Sequence, residues 1–275
     1  MKKGLSLKKF ILNLFFLLLC GIILLPMVWL IINSFKTNVE LFNDSLALPG
    51  KWLFSNYVKA WDLGLFDYFK NSVFVSAISI AVILVLSSLL TYGLTRFRMR
   101  GSGAVLFIVL GGMALSEQVA LVPLYKMLQG LGLYDTYWAV ILPYIAFRIP
   151  FTVLLMRSYF LAIPRELEEA AIMDGYNSFQ IFWKIIVPLS KPVFASCAIV
   201  NLNFVWNEFL FANVFLERKE IMTIPIGLMT FKGDLRQDYT VMLAGIAIAS
   251  LPMILAFLCM QKQFVRGLTS GAVKG

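Results

Sequence analysis

Residues 10–32 read Phe10-Ile-Leu-Asn-Leu-Phe-Phe-Leu-Leu-Leu-Cys-Gly-Ile-Ile-Leu-Leu-Pro-Met-Val-Trp-Leu-Ile-Ile32, 23 positions without a charged side chain. An α-helix rises about 1.5 Å per residue, so roughly 20 apolar residues cross a hydrocarbon layer about 30 Å thick. Lys2, Lys3, Lys8 and Lys9 precede the run, as in a secretory leader. A leader's apolar core is only about 7–15 residues long and is followed by a small-x-small cleavage site, and neither holds here. Leu17-Leu18-Leu19-Cys20 has the outline of a lipoprotein processing site, but the bulky leucine before the cysteine and the apolar run beyond it argue against cleavage. A retained first span is expected.

The same pattern recurs near Val73–Thr95, Ala104–Tyr125, Tyr137–Met156, Val193–Phe215 and Val241–Met260. Hydrophobic residues make up 60% of the 275, mean hydropathy is +0.83, and only 14% are charged. That excess over a soluble domain needs a non-aqueous environment. In lipid only helices and closed barrels satisfy their own backbone, and continuous runs of this length favour helices over alternating barrel strands. The expected fold is all-α: an integral membrane bundle of six transmembrane helices. Residues 1–9 form its N-terminus and residues 10–275 a single transmembrane domain, with a tail over 261–275.

Charge orients the bundle. The N-terminus and residues 96–103, 157–192 and 262–275 share one side and carry 14 basic against four acidic residues. The opposite loops, about 33–72, 126–136 and 216–240, carry nine of each. The positive-inside rule places the first set, both termini included, in the cytoplasm. The formal charge of +9 is therefore read as topology and not as nucleic-acid affinity. The first outer loop is aromatic-rich (Trp52, Phe54, Tyr57, Trp61, Phe66, Tyr68), as suits the interface level of a bilayer.

Between spans four and five, residues 163–188 read Ile163-Pro-Arg-Glu-Leu-Glu-Glu-Ala-Ala-Ile-Met-Asp-Gly-Tyr-Asn-Ser-Phe-Gln-Ile-Phe-Trp-Lys-Ile-Ile-Val-Pro188. Pro164 suits a first helical turn, and three glutamates lie near its positive end. Gly175 is a C-terminal stop, and Asn177 or Ser178 can cap a second helix. Phe179, Phe182, Trp183 and Ile186 follow the i, i+3, i+4, i+7 pattern, and Pro188 and Pro192 are expected to end that helix. Leu167, Ala170, Ala171 and Asp174 share one face of the first helix, and Glu166 and Glu169 a neighbouring one. Small alanines beside carboxylates suit a groove on a partner, although a solvated amphipathic hairpin has the same pattern.

Glu169-Ala170-Ala171, Gly175, Ile185 and Pro188 resemble the Glu-Ala-Ala loop of ABC importer permeases, E-A-A-x3-G-x9-I-x-L-P, with Val187 in place of leucine as the one departure. The resemblance covers nearly the whole chain and points to the carbohydrate, maltose-type class, and within it to permeases like the shorter maltose-transporter subunit. Asn56-Tyr57, Asn71-Ser72, Ile141-Leu142-Pro143-Tyr144, Trp206-Asn207-Glu208-Phe209 and the tail Phe264–Gly275 are similar to that group. It implies a heterodimer of two permeases, an ABC ATPase dimer binding ATP and Mg beneath it, and an extracellular solute-binding protein above, in a bacterial cell membrane. It also implies that Glu169, Ala170, Ala171, Asp174, Gly175, Ile185 and Pro188 couple to the ATPase, with ATP-driven closure pulling the docked helices together. The tail would reach between the ATPase domains. The loop around Ile224–Arg236, shaped by Pro225, Gly227 and Gly233, would face the binding protein.

Glu117, Arg148 and Glu208 lie in or near spans three to five, where a charge costs about 2.5–3.5 kcal/mol on insertion scales and so faces a cavity or a partner. With Tyr144, Asn203 and Asn207 they are the candidate translocation residues. Asparagine amides and aromatic platforms suit a neutral sugar, but interhelical hydrogen bonding and an Arg148 pair with Glu117 or Glu208 fit equally. Gly245 and Ala249 are read as close helix packing.

Histidine is absent, and Cys20, Cys197 and Cys259 lie in apolar stretches without CxxC spacing, so no metal site and no complete disulfide framework is expected. Gly50-Lys51 is followed by Trp52 and lacks the rest of a phosphate loop, so ATP hydrolysis falls to another chain. The rival readings are a secondary transporter driven by the intramembrane charges, an ABC permease for a non-sugar solute, and a membrane scaffold that docks an ATPase.

Overall fold

The computed structural model describes residues 7–97, 99–234 and 238–272, with side chains for 9–97, 99–231 and 238–261. Among them every regular element is helical. The long helices are α1 (Leu7–Ser34), α4 (Phe66–Arg96), α7 (Trp138–Ala162) and α14 (Tyr239–Ala272), each long and apolar enough to cross a membrane. Before α4 come the short α2 (Asn38–Asn43) and α3 (Ser55–Ala60), the latter joined to α4 by a π-turn over Trp61–Leu65. Gly64 sits there at φ +97°, which only glycine adopts cheaply.

Two expected spans are not continuous. The run 104–125 divides into α5 (Ser102–Gly111), a 3₁₀ turn and α6 (Glu117–Gly130), bent by 100°. Gly111 and Gly112 weaken the helix just before Ser116, which is extended at ψ 134° and places Glu117 in the first turn of α6. The run 193–215 is helical only to Asn207 in α11 (Lys191–Asn207). Glu208 is extended at ψ 128°, and α12 (Leu210–Phe215) restarts beyond it. Four described helices are long and apolar enough to span alone, or six spans result if two bent pairs each count as one: α5 with α6, and the helical run Ser178–Leu189 with α11, bent by 76°. By contrast Pro26, Pro143, Pro150 and Pro252 are absorbed inside long helices, as membrane helices tolerate.

The chain separates into two compact units: Met1–Phe66 with Gly227–Leu251, and Asp67–Ile226 with Pro252–Gly275. In the first, Asn56 Nδ2 donates to the carbonyls of Ser34 and Lys36, both at 2.8 Å, and Tyr57 Oη bonds Ser34 Oγ at 2.7 Å. The Asn56-Tyr57 pair therefore closes off the end of α1. Gly245 in α14 packs so closely that a Cβ there would lie 2.7 Å from Leu228 Cδ2, which bears out the close packing expected at that position. The spanning window of α1 itself buries no residue against its own chain.

The second unit holds two cores. One gathers Val75, Ile83, Ile141, Tyr144, Phe211 and Phe215. The other joins Tyr92, Met156, Phe160 and Cys197 to the helix pair that follows α7. Between the two, Asn201 of α11 donates to Thr152 Oγ1 of α7 at 3.0 Å, an interhelical bond buried from solvent. The α14 helix continues past its expected end at Met260 as far as Ala272; Val273–Gly275 and the end of the 224–236 connection (235–237) lie outside the described residues.

Candidate functional site

The segment after α7 folds as α8 (Glu166–Met173), α9 (Ser178–Ile181) and α10 (Val187–Leu189), the last two joined by a π-turn over Phe182–Ile186. Its stop and start are the expected ones. Gly175 has φ +84°; its N–H donates to Ile172 O and that of Tyr176 to Ala171 O, both at 3.0 Å, the two bonds of a Schellman motif. Asn177 accepts from Gln180 N while the Gln180 side chain accepts from Asn177 N, a capping box that starts α9. The second helix ends between Pro188 and Pro192, as expected: it runs one residue past Pro188 to Leu189 and breaks at Ser190.

The π-turn also shifts the register. Phe182 and Ile186 are buried, whereas Phe179 and Trp183 are exposed. On α8, Glu169, Ala170 and Asp174 face outward, but Ala171 is only 4% exposed and packs into the core with Ile181 and Phe182. The outward surface is apolar, with Ile172 60%, Met173 86% and Phe179 68% exposed, and is edged by Glu166 and Glu169. Ile185 is half-buried and Pro188 exposed. Large exposed apolar side chains beside charged ones suit a protein-docking face.

Glu168 turns the other way. Its Oε1 lies 2.7 Å from Arg96 Nε at the end of α4, an ion pair without hydrogen-bond alignment. Arg96 Nη2 also donates to Phe160 O at 2.8 Å and to Ile163 O at 3.0 Å. Burial pushes the Glu168 carboxyl above its ordinary value, against the pull of Arg96 and Arg165. Sequence reasoning passed over this pair, although Glu168 stands one turn from the small Ala171 on the inward face.

The polar groups within the spans divide into Glu117, Tyr144, Arg148 and Glu208, which interact with one another, and Asn203 with Asn207, which bond to each other. Glu208 is 7% exposed and fully employed: Tyr144 Oη donates to its Oε2, Phe211 N to Oε1 at 2.7 Å and Ala212 N to Oε2 at 3.2 Å, so it anchors α12. The expected alternative of an Arg148–Glu208 pair is therefore not formed. Arg148 instead stands over Phe204, its guanidinium carbon 4.1 Å from the ring centroid, a cation–π contact. Glu117 is near enough to interact electrostatically with both Arg148 and Glu208. Asn207 Nδ2 bonds back to Asn203 O at 2.8 Å and Oδ1 at 3.1 Å along their own helix, and both residues are exposed.

The connection around Ile224–Arg236, expected as a shaped loop, is helical over α13 (Ile224–Asp234), with Pro225 half-buried in the first turn and Gly227 buried; Gly233 lies in the last turn. Its start is clamped by α4. Asn71 Nδ2 donates to Glu220 O at 2.8 Å and Met222 O at 3.0 Å, and Ser72 Oγ accepts from Ile224 N at 2.8 Å. Tyr137 Oη completes the clamp on Asn71 Oδ1 at 2.8 Å. Beside it, Asp135 accepts from Glu217 N, Arg218 N and Arg218 Nε at 2.8, 3.1 and 2.7 Å.

Residues 1–270 match the family described as binding-protein-dependent transport system inner membrane component. Among curated relatives, the probable ABC transporter permease YurM of Bacillus subtilis is 48% identical, over 91% of this chain and 83% of its own. The arabinooligosaccharides transport system permease AraQ of Bacillus subtilis is 36% identical over 98% of this chain and 97% of its own. The trehalose/maltose transport system permease of Thermococcus litoralis is 32% identical over 98% of both. A solved bacterial ABC transporter involved in import of the acidic polysaccharide alginate superposes with a TM-score of 0.79 at 25% identity, over 96% of this chain and 100% of that one. The match sets aside the secondary-transporter reading. The chain is a multi-pass membrane protein and belongs to the family of inner-membrane permease components of binding-protein-dependent ABC transport systems.

Proposed function

We propose that this chain forms half of the translocation pathway of an ATP-driven carbohydrate importer in a bacterial plasma membrane, paired with a second permease. It crosses the membrane six times, through α1, α4, the bent α5–α6, α7, α11 with α12, and α14, with both termini and the helix pair α8–α10 in the cytoplasm. The charge asymmetry between the two sets of loops supports that orientation. ATP and Mg are held by a separate ATPase dimer, against which the outward face of the pair docks through Glu169, Ala170, Asp174 and the turn at Gly175. Ala171, Ile185 and Pro188 shape the pair behind that face. Closure of the ATPases draws the docked pairs together and opens the pathway outward.

An extracellular binding protein delivers the solute to the face carrying Pro225, Gly227 and Gly233. Within the membrane, Glu117, Tyr144, Arg148, Asn203, Asn207 and Glu208 border the path. The exposed Asn203 and Asn207 are the groups free to meet solute hydroxyls, while Tyr144 and Glu208 hold the break between α11 and α12. A carbohydrate substrate is supported by the relatives named for arabinooligosaccharides, trehalose/maltose and alginate.

The observation that carries the reading is the family match across residues 1–270, joined to an exposed apolar face edged by Glu169. Purifying the complex from native membranes tests it. An ABC ATPase, a second permease and a binding protein loaded with an oligosaccharide are expected to co-purify. A complex lacking an ATPase would overturn the reading, and a binding protein loaded with a non-sugar solute would overturn the carbohydrate assignment.

A further inference from the structure

Arg96 and Glu168 stand 72 positions apart in sequence, yet their charged ends meet with side chains only 5% and 13% exposed. Three segments converge on this one guanidinium. It extends from the last residue of α4, touches the Glu168 carboxylate on α8, and donates to two carbonyls at the end of α7, Phe160 O and Ile163 O. Arg165 returns the bond in the other direction, its Nη2 reaching Thr95 O at 3.5 Å. One turn back along α4, the Tyr92 ring packs on Phe182 with centroids 5.2 Å apart, and Tyr92 Oη donates to Ser178 O at 3.3 Å. The helix pair is thus tied to α4 at both of its helices.

Elsewhere the pair is seated by apolar packing and one further hydrogen bond, Tyr159 Oη to Leu189 O at 3.2 Å; apolar packing permits small sliding of one helix over another. The guanidinium's two hydrogen bonds to Phe160 O and Ile163 O fix its direction, and the Glu168 carboxylate is held to it by charge, 2.7 Å from Nε without hydrogen-bond alignment. Removing two charges from water to make such a link is costly, and a well-packed apolar contact would stabilise the fold at least as well. What the charged link adds is a short, buried tether from α8 to a guanidinium already fixed on α4 and the end of α7.

We propose that the Arg96–Glu168 pair is a positioning link that makes the helix pair and the end of α4 move as one body, so that displacement of the docking face is passed into α4. The proposal rests on the reading that the pair docks an ATPase. It gives Glu168 a task distinct from that of its outward neighbours Glu166 and Glu169.

Spin labels at Lys184→Cys and Leu86→Cys report the link in the whole transporter in lipid nanodiscs, with Cys20, Cys197 and Cys259 replaced by alanine. Their separation is measured by pulsed electron resonance with and without trapping by ATP and orthovanadate. With the link intact, one distance is expected in both states; Arg96→Gln or Glu168→Gln makes the trapped distance shift or broaden. In the same variants basal ATP hydrolysis stays within twofold, while its stimulation by the co-purified binding protein falls at least fivefold. Arg96→Lys, and the exchange of Arg96→Glu with Glu168→Arg, each recover part of the stimulation.

Unchanged distances and stimulation in the glutamine variants would overturn the proposal. So would glutamine variants that fail to assemble and are not recovered by the charge exchange, which would mark the pair as a fold brace. A wild-type complex whose hydrolysis ignores its binding protein would count against the importer reading instead, and the label distances would still judge the link.

Discussion

Gly175→Ala isolates the turn between α8 and α9. At φ +84° an L-residue brings its Cβ against the following carbonyl, a cost of roughly 1–2 kcal/mol. No heavy atom lies within 4 Å of a Cβ built at this position, so no packing clash adds to the conformational cost. A loss of that size shifts a local equilibrium by roughly 5- to 30-fold. The groups that register it are the N–H of residue 175, bonded to Ile172 O, and of Tyr176, bonded to Ala171 O. Hydrogen exchange of the peptide covering residues 170–180, measured in the assembled complex, is expected to accelerate by that factor. Gly175→Asn falls between glycine and alanine, because asparagine tolerates the left-handed region better than other side chains. Binding-protein-stimulated ATP hydrolysis is expected to fall in the same order, since the turn sets the angle of the docking face. If alanine slowed exchange, as it does where φ is negative, the left-handed turn and the role built on it would both be wrong.

Glu169→Lys in the reconstituted complex is expected to abolish the response of ATP hydrolysis to binding protein while membrane insertion survives; normal stimulation would remove Glu169 from the coupling face. Asn71→Ala deletes the donor to Glu220 O and Met222 O and the acceptor for Tyr137 Oη, three bonds at about 1 kcal/mol each. Thermal unfolding in detergent should register a loss of about 3 kcal/mol, with Asn71→Asp nearly as damaging because it keeps only the acceptor. For Asp135, burial raises the carboxyl, but the amides of Glu217 and Arg218 and the Arg218 guanidinium outweigh it and hold it below its usual range. A depressed carboxyl stabilises the fold above its unfolded value, about 3.9, and that contribution is lost as pH falls through the lower folded value. The stability difference between the protein and Asp135→Asn is therefore expected to be full at neutral pH and to shrink only below about pH 4; a difference independent of pH would contradict the clasp.

What the sequence revealed follows how local each signal is. Gly175 and Asn177 act on backbone groups within five positions, so their turn chemistry carries into the structure unchanged. The long spans α1, α4, α7 and α14 follow from hydropathy for the same reason. The breaks at Ser116 and Glu208 do not, because a hydropathy window averages across one extended residue. Glu208 is anchored by Tyr144, 64 positions away, a contact that no local pattern contains. The Arg96–Glu168 pair is hidden in the same way. The stop between Pro188 and Pro192 was legible, whereas the π-turn over Phe182–Ile186 has no signal in composition. The Asn56-Tyr57 and Asn71-Ser72 pairs were visible as motifs before they had a physical reason, and the reason is that both tie distant backbone carbonyls with side-chain amides.

Energy source separates this account from its rivals more sharply than any single substitution. Uptake of the oligosaccharide that co-purifies with the binding protein is measured in proteoliposomes holding the whole complex, with ATP enclosed and with ionophores collapsing every ion gradient. The account predicts uptake that requires enclosed ATP and the ATPase subunit and continues undiminished when the gradients are gone. Uptake that persists without the ATPase and stops with the gradients would contradict it.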